Sequence, residues 1–209
     1  MAAAVKAVAV TDGGVTRRDD ILRVSTALFD QHGYANVGMR AIADAVGIRP
    51  ASLYHHLASK EEILYAISMR VTEQYTEETV TLLERGADPR AAIRNLIERQ
   101  IVFAWDNRAA NEVSRREMRE LQPEHLADVL FHRARYRRVL QGLIEEGIAA
   151  KHFKNTNPKL TSLAILSMVN GVNDWFHDES VQSPKSKRAL KIGDVAGAYA
   201  DLIIDHLLQ

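Results

Sequence analysis

GIRPASLYHHLASKEEIL, residues 47 to 64, holds a glycine, a proline, a short aromatic and histidine-bearing run and a fresh helix start within eighteen residues. Gly47 is placed to close a short helix over 39–46, whose apolar face is Met39, Ile42, Ala43 and Val46. Pro50 fits the first turn of a following helix, because its missing N–H has no intrahelical partner to lose there. That helix runs only to about Leu57 before Ser59 caps another, with Glu61 and Glu62 in its first turn where they complement the macrodipole. Upstream, Thr16 and Asp19 form a capping-box pattern, and Ile21, Leu22, Val24, Ser25, Leu28 and Phe29 fall at helical spacing up to a stop at Gly33. Two short helices on a tight turn, braced by a longer one, make a helix-turn-helix, and two turns suffice for a helix that only has to enter a major groove. Ile42, Ala43, Val46, Ile48 and Leu53 would pack such a unit. Arg40, Arg49, Ser52, Tyr54 and His55 would then face outward, and these are residue types that contact phosphates and base edges. The neighbouring His55 and His56 diverge by about 100° on a helix, so no metal site is expected of them.

Bulk properties narrow the function classes. The formal net charge is +0, so DNA binding has to come from a local patch and not from a polycationic whole. The absence of cysteine excludes disulfides, iron–sulfur clusters and thiolate chemistry. No apolar run approaches the roughly 20 residues of a membrane span, and the opening MAAAVKAVAVTDGG is too short and mixed for a signal peptide. Residues 1–14 are expected to be a disordered tail, and cytoplasmic location is the default. There is no HExxH, GxSxG, P-loop or glycine-rich dinucleotide fingerprint, so neither an enzyme nor a resident cofactor is expected.

Beyond Ser59 the helical pattern continues to Leu83, before a break at Gly86. Asp88-Pro89 and Asn157-Pro158 each pair a cap with a proline at N1, opening helices toward Trp105 and Phe176. Between them the pattern gives a helix near 110–120 and a long one from Pro123 to about Gly147. Residues 195–208 form a last helix with Ala198, Tyr199, Leu202, Ile203 and Leu207 on one face, after a polar loop over 177–193 expected to be exposed and mobile. Nothing alternates at the strand period, so the chain is expected to be all-α with about nine helices.

The segment ILRVSTALFDQHGYANVGMRAIADAVGIRPASLYHHLASKEEIL, residues 21 to 64, resembles the N-terminal domain of TetR-family transcriptional repressors. Its Gly-Tyr, its Ile-Ala-x-x-x-Gly core and its Leu-Tyr-x-His ending carry the likeness. The resemblance implies a helix-turn-helix domain over 15–64 and a helical effector-binding and dimerisation domain over 65–209. It assigns Tyr54 and Lys60 to backbone phosphates and Arg40 to a second-helix position that touches DNA. Thr16, Arg49, Pro50, Ala51, Ser52 and His55 complete the expected DNA-binding set. Gly38, Arg49 and Pro50-Ala51 depart from the family's usual Thr, Ser and Lys-Gly; Arg49 is left to reach either a guanine edge or a phosphate.

The resemblance further implies a homodimer that reads a pseudo-palindromic double-stranded operator and is released by a small apolar effector. The last two helices are the expected dimer surface, or else are buried within the monomer. The arginine-rich REMRELQPEHLADVLFHRARYRRVLQGLIEEG, residues 116 to 147, together with MVNGVNDWF, 168 to 176, resembles the subset regulating fatty-acid or steroid catabolism, whose effectors are acyl-CoA thioesters. Phe103, Trp105, Leu121, Leu130, Leu143, Met168 and Trp175 would line an apolar tunnel, with Arg133 and Arg137 on phosphates. The same arginines read equally as a solvated face, and the same aromatics as core. A DNA-binding regulator with no small-molecule effector is the alternative function.

Overall fold

The computed structural model describes residues 16–83, 88–177 and 190–209, the side chains of residues 75 and 77–83 excepted. The expected tail over 1–14, the Gly86 break and most of the 177–193 loop lie outside the described residues. Among those described, the chain forms nine α-helices, one 3-10 turn and a C-terminal π-helical segment, with no strand. It divides into two compact units, one ending at Ile63 and the other beginning at Leu64.

The first unit holds α1 (Arg17–His32), α2 (Met39–Val46) and α3 (Pro50–His56). The capping box on α1 is reciprocal: Asp19 N–H donates to Thr16 Oγ1 at 3.2 Å, and Thr16 N–H donates to Asp19 Oδ2 at 3.1 Å. Gly33 ends the helix at φ +78°, its N–H on the Phe29 carbonyl at 2.9 Å. Ile21, Phe29, Ile42 and Leu53 are fully buried, one or more from each helix. Each such side chain contributes about 1.5–3 kcal/mol of burial, which is how three short helices hold together.

Helix α4 (Lys60–Leu83) begins in the first unit and continues in the second. Ser59 Oγ accepts from Glu62 N–H at 3.0 Å, and Glu62 reaches back to accept from Ala58 N–H at 2.6 Å, so both sides of its start are capped. The second unit adds α5 (Pro89–Asp106), α6 (Arg108–Arg116), a 3-10 turn (Met118–Glu120), α7 (Pro123–Ala149), α8 (Pro158–Phe176) and α9 (Ile192–Asp201). Asp88 and Asn157 cap α5 and α8 through Ala91 N–H and Leu160 N–H, each at 3.1 Å. Ile93, Ile97 and Ile101 of α5 meet Leu140 and Ile144 of α7, Ile165 and Val169 of α8, and Val195 and Ala200 of α9 in one core. Arg94 and Asp201 pair across α5 and α9 at 2.7 Å, and that hydrogen bond raises the Arg94 guanidinium above its ordinary range.

Two local expectations are corrected. The helix expected near 110–120 splits, because α6 ends at Arg116 and only a 3-10 turn follows. The stripe expected on the last helix is met in part: Ile203 is buried and Tyr199 and Leu207 pack against the core, but Ala198 and Leu202 are exposed, and Val195, Ala196, Ala200, Ile204 and Leu208 are buried as well. The chain changes to π geometry over Leu202–Leu208, and its i→i+5 bonding brings Leu208 onto the face of Ile203. Leu207, which the α-helical period places there, packs on the same core but is only partly buried.

Candidate nucleic-acid interface

The turn between α2 and α3 is fixed by backbone chemistry. Gly47 lies at φ +76°, ψ +34°, the left-handed region, with its N–H on the Ala43 and Asp44 carbonyls. Ile48 N–H reaches back to the Ala43 carbonyl at 3.0 Å, which completes a Schellman motif. Arg49 is the N-cap of α3 through its backbone: its carbonyl accepts from Ser52 and Leu53 N–H at 2.9 and 3.2 Å. Its side chain makes no capping bond.

With Leu53 and Ile42 locked inside, the opposite face of α3 is outside. Arg49, Pro50, Ala51, Tyr54 and His55 are exposed, Tyr54 by 52%, and Ser52 is half-buried. Arg40 on α2 is exposed as well. Among the described residues neither Arg40 nor Arg49 has a carboxylate partner, so both guanidiniums keep their donors for another group. Thr16 is exposed, but its hydroxyl donates to Asp19 Oδ2 at 2.7 Å as part of the cap.

Lys60 is placed differently from the other cations. Its Nζ donates to the Tyr34 carbonyl at 2.9 Å and stands 4.2 Å from the centroid of the Tyr34 ring. Tyr34 is buried and meets Phe29 edge-on at 5.1 Å. The lysine therefore ties the start of α4 to the α1–α2 connection.

In the second unit the expected effector positions separate into groups. Trp105, Met168 and Trp175 pack on the core, and Leu143 is part of it. Trp105 meets Phe176 edge-on at 4.7 Å and carries Arg108 over its own ring at 5.0 Å. Arg133 is half-buried and donates to Ser114 Oγ at 2.9 Å and to Met118 Sδ at 3.3 Å, holding α6 and the 3-10 turn against α7 near buried Leu121. Phe103 and Arg137 are half-buried. Leu130 is 46% exposed beside the still more exposed Phe131, so it stands apart from the core residues. Arg115 and Arg116 pair with Glu112 at the surface, as in a solvated face.

One cluster had no signal in the sequence. The Tyr65 ring of α4 stacks on His125 of α7 at 3.9 Å with an interplanar angle of 8°. Its hydroxyl donates to Asp128, whose other oxygen lies 3.7 Å from His132 Nε2. Helical spacing explains why His125, Asp128 and His132 share a face, but nothing in the order of residues pairs them with Tyr65.

Comparison with known proteins places this geometry. The pattern of bacterial regulatory proteins of the tetR family matches residues 21–67, and that of the tetracyclin repressor-like C-terminal domain matches residues 86–207. The chain is 26% identical over 146 residues to the HTH-type transcriptional repressor KstR2 of Rhodococcus jostii, 69% of this chain and 72% of that one. The crystal structure of the TetR-family regulator PfmR from Thermus thermophilus superposes with a TM-score of 0.78 at 30% identity, over 90% of this chain and 99% of that one. AibR, solved in complex with isovaleryl coenzyme A and operator DNA, shares the fold with a TM-score of 0.75 at 21% identity, over 90% of this chain and 98% of that one. A recognition helix set by a Schellman turn, followed by a helical C-terminal unit that matches the second pattern along most of its length, makes this chain a member of the TetR family of DNA-binding transcriptional regulators.

Proposed function

We propose that the protein is a ligand-responsive repressor, a homodimer that grips a pseudo-palindromic operator and is released by a small apolar effector, with acyl-CoA thioesters the leading class. The observation that carries the reading is the outward face of α3, where Arg49, Tyr54 and His55 stand exposed on a helix whose other face is locked by Leu53. Tyr54, Arg40 and the exposed start of α3 at Pro50 and Ala51 contact phosphates, and Arg49, Ser52 and His55 are the groups for base edges. Lys60 supports this interface from Tyr34. Two copies of α3 read successive major-groove faces when they stand about 34 Å apart, one DNA turn.

Dimerisation is supported by apolar and small residues left outside on the last two helices: Leu160, Leu163, Ala164 and Ser167 on α8, and Ala198 and Leu202 at the end of the chain. The effector reading draws on AibR, a protein of the same fold crystallised with an acyl-CoA, and on Arg133 and Arg137, half-buried cations suited to phosphate. An effector acts only if it binds the DNA-incompetent state more tightly; a coupling of about 1–3 kcal/mol gives a 5–150-fold loss of operator affinity. No helix among the described residues is long and apolar enough to cross a membrane, and this reading places the protein with the DNA in the cytoplasm, with no catalytic step.

A second reading has one observation in its favour. Trp105, Met168 and Trp175 close onto the core, as they would in a regulator whose C-terminal unit only dimerises. Fluorescence anisotropy decides: the protein is titrated onto DNA from its own upstream region and onto random DNA at physiological salt, and the complex is then challenged with isovaleryl coenzyme A and longer acyl-CoAs. Specific binding reversed by an acyl-CoA is the expected result. Specific binding indifferent to the whole series supports the second reading, and equal weak binding to both DNAs overturns the regulator assigned to that region.

A further inference from the structure

We propose that Asn170 is the self-recognition residue of the outward face of α8, an amide that pairs with the Asn170 of a second copy of this chain across the twofold axis of the homodimer. The proposal rests on the dimer reading above and deepens it by naming the contact that fixes which partner is accepted and in what register. Leu160, Leu163, Ser167 and Asn170 follow one another at intervals of three, four and three residues, the spacing of a seam between paired helices, and all four are exposed in the single chain. Ser167 spends its hydroxyl hydrogen on the Leu163 carbonyl at 2.9 Å. Among these four, Asn170 is therefore the side chain with hydrogens to offer a partner.

The interior of the same unit decides how that amide is held. Tyr136 of α7 and Gln100 of α5 are both buried, and the Tyr136 hydroxyl donates to Gln100 Oε1. With its oxygen committed, Gln100 offers its other end to α8, and Nε2 donates to Asn170 Oδ1 at 3.0 Å. Asn170 thus keeps one lone pair of Oδ1 and both N–H groups of Nδ2 for a molecule outside. An amide buried without partners costs more than an apolar residue in its place, so an amide set in an apolar seam selects the partner that completes it. A twofold interface brings a residue near the axis against its own copy. A carboxylate or an ammonium there repels itself, whereas two amides are mutually complementary, Nδ2 of each donating to Oδ1 of the other. The result is a row of four amides, Gln100 and Asn170 of one protomer meeting the same pair of its partner, anchored at each end by a buried tyrosine.

The chain contains no cysteine, so a single introduced thiol can join only to its own copy. Full-length Asn170→Cys is oxidised with copper phenanthroline beside Ala127→Cys, an exposed position on α7 that serves as the collision control. A disulfide needs Cα atoms within about 7 Å, so Asn170→Cys is expected to run as a covalent dimer and Ala127→Cys as a single chain. Asn170→Asp keeps the shape, removes the donor and sets like charges face to face. Its dimer dissociation constant, read by diluting a mixture of donor-labelled and acceptor-labelled copies, should rise about tenfold or more, and mixing it with Asn170→Lys should recover most of that loss. Tyr136→Phe lies inside the protomer and frees the Gln100 amide to turn over, so it should weaken the dimer about threefold. A tyrosine that served packing alone would lower the melting temperature and leave the dissociation constant where it was. With a dimeric wild type, either an Asn170→Cys chain that stays single under oxidation or an Asn170→Asp dimer as tight as wild type overturns the pairing and leaves the dimer standing. A wild type that is monomeric removes the dimer on which the pairing rests.

Discussion

Replacing Lys60 with methionine keeps the aliphatic stem and removes the ammonium, so it isolates what the charge does. In the folded chain that ammonium donates to the Tyr34 carbonyl at 2.9 Å and lies 4.2 Å from the ring centroid. A hydrogen bond from a charged group contributes about 1.5–3 kcal/mol, and a cation over an aromatic ring at a half-exposed site about 0.5–1 kcal/mol. Lys60 is half-buried, so water recovers part of this, and a net loss of about 1–2 kcal/mol is expected. At about 2–4 °C per kcal/mol for a chain of this size, the melting temperature falls by about 2–8 °C. A double-mutant cycle with Tyr34→Leu separates the ring from the carbonyl: the coupling should be about 0.5–1 kcal/mol, because the carbonyl survives in both backgrounds. The slope of log K against log salt for operator binding should stay unchanged if Lys60 serves the Tyr34 contact and no phosphate, since that bond takes only one of its three N–H groups. A slope shallower by about 1.8, one phosphate from each of two subunits, with an unaltered melting temperature would refute this reasoning and give Lys60 a phosphate instead.

Three further outcomes follow from single positions. Gly47→Ala places a Cβ that meets nothing within 4 Å, so its whole cost is the left-handed backbone, about 1–2 kcal/mol, visible as a lowered melting temperature with weakened operator binding. Arg49→Ala, at the start of the recognition helix, should cut discrimination at one base position by about 1–3 kcal/mol in a binding-site selection; a uniform loss over all sequences would instead assign Arg49 to a phosphate. Gly147→Ala in α7 should destabilise despite the better helix propensity of alanine, because the new Cβ falls 2.0 Å from a ring carbon of buried Phe153. Overpacking of this kind costs about 1–3 kcal/mol against a propensity gain of about 1 kcal/mol, so a raised melting temperature would mean that Phe153 moves aside freely.

The DNA-binding unit was almost wholly legible before any coordinates, because its signals are local. A capping box needs only Thr16 and Asp19, three residues apart, and both of its bonds are present. A helix end at positive φ favours a glycine, and Gly33 and Gly47 both take one, although Lys151 reaches φ +60° after α7 without being a glycine. The cap-and-proline pairs at Asp88-Pro89 and Asn157-Pro158 placed two later helix starts for the same reason. Where a period was extrapolated without such punctuation it drifted, as after α9, where in the π geometry Leu208 is fully buried while Leu207 is only partly so and Leu202 is exposed.

By itself, then, the order of residues determined the all-α character, the helix-turn-helix and the outward face of α3, since each depends on neighbours within about five positions along the chain. Only the tertiary structure decided what the long side chains do. Lys60 reads as a free cation until Tyr34, 26 residues earlier, accepts its hydrogen bond. Arg133 and Arg115 look alike in an arginine-rich run, yet one grips Ser114 from a half-buried position and the other pairs with Glu112 at the surface. Tyr65 meets Asp128 across 63 residues. Such partners are brought together by the packing of whole helices, and no spacing along the chain encodes a distance between two helices that meet only after folding.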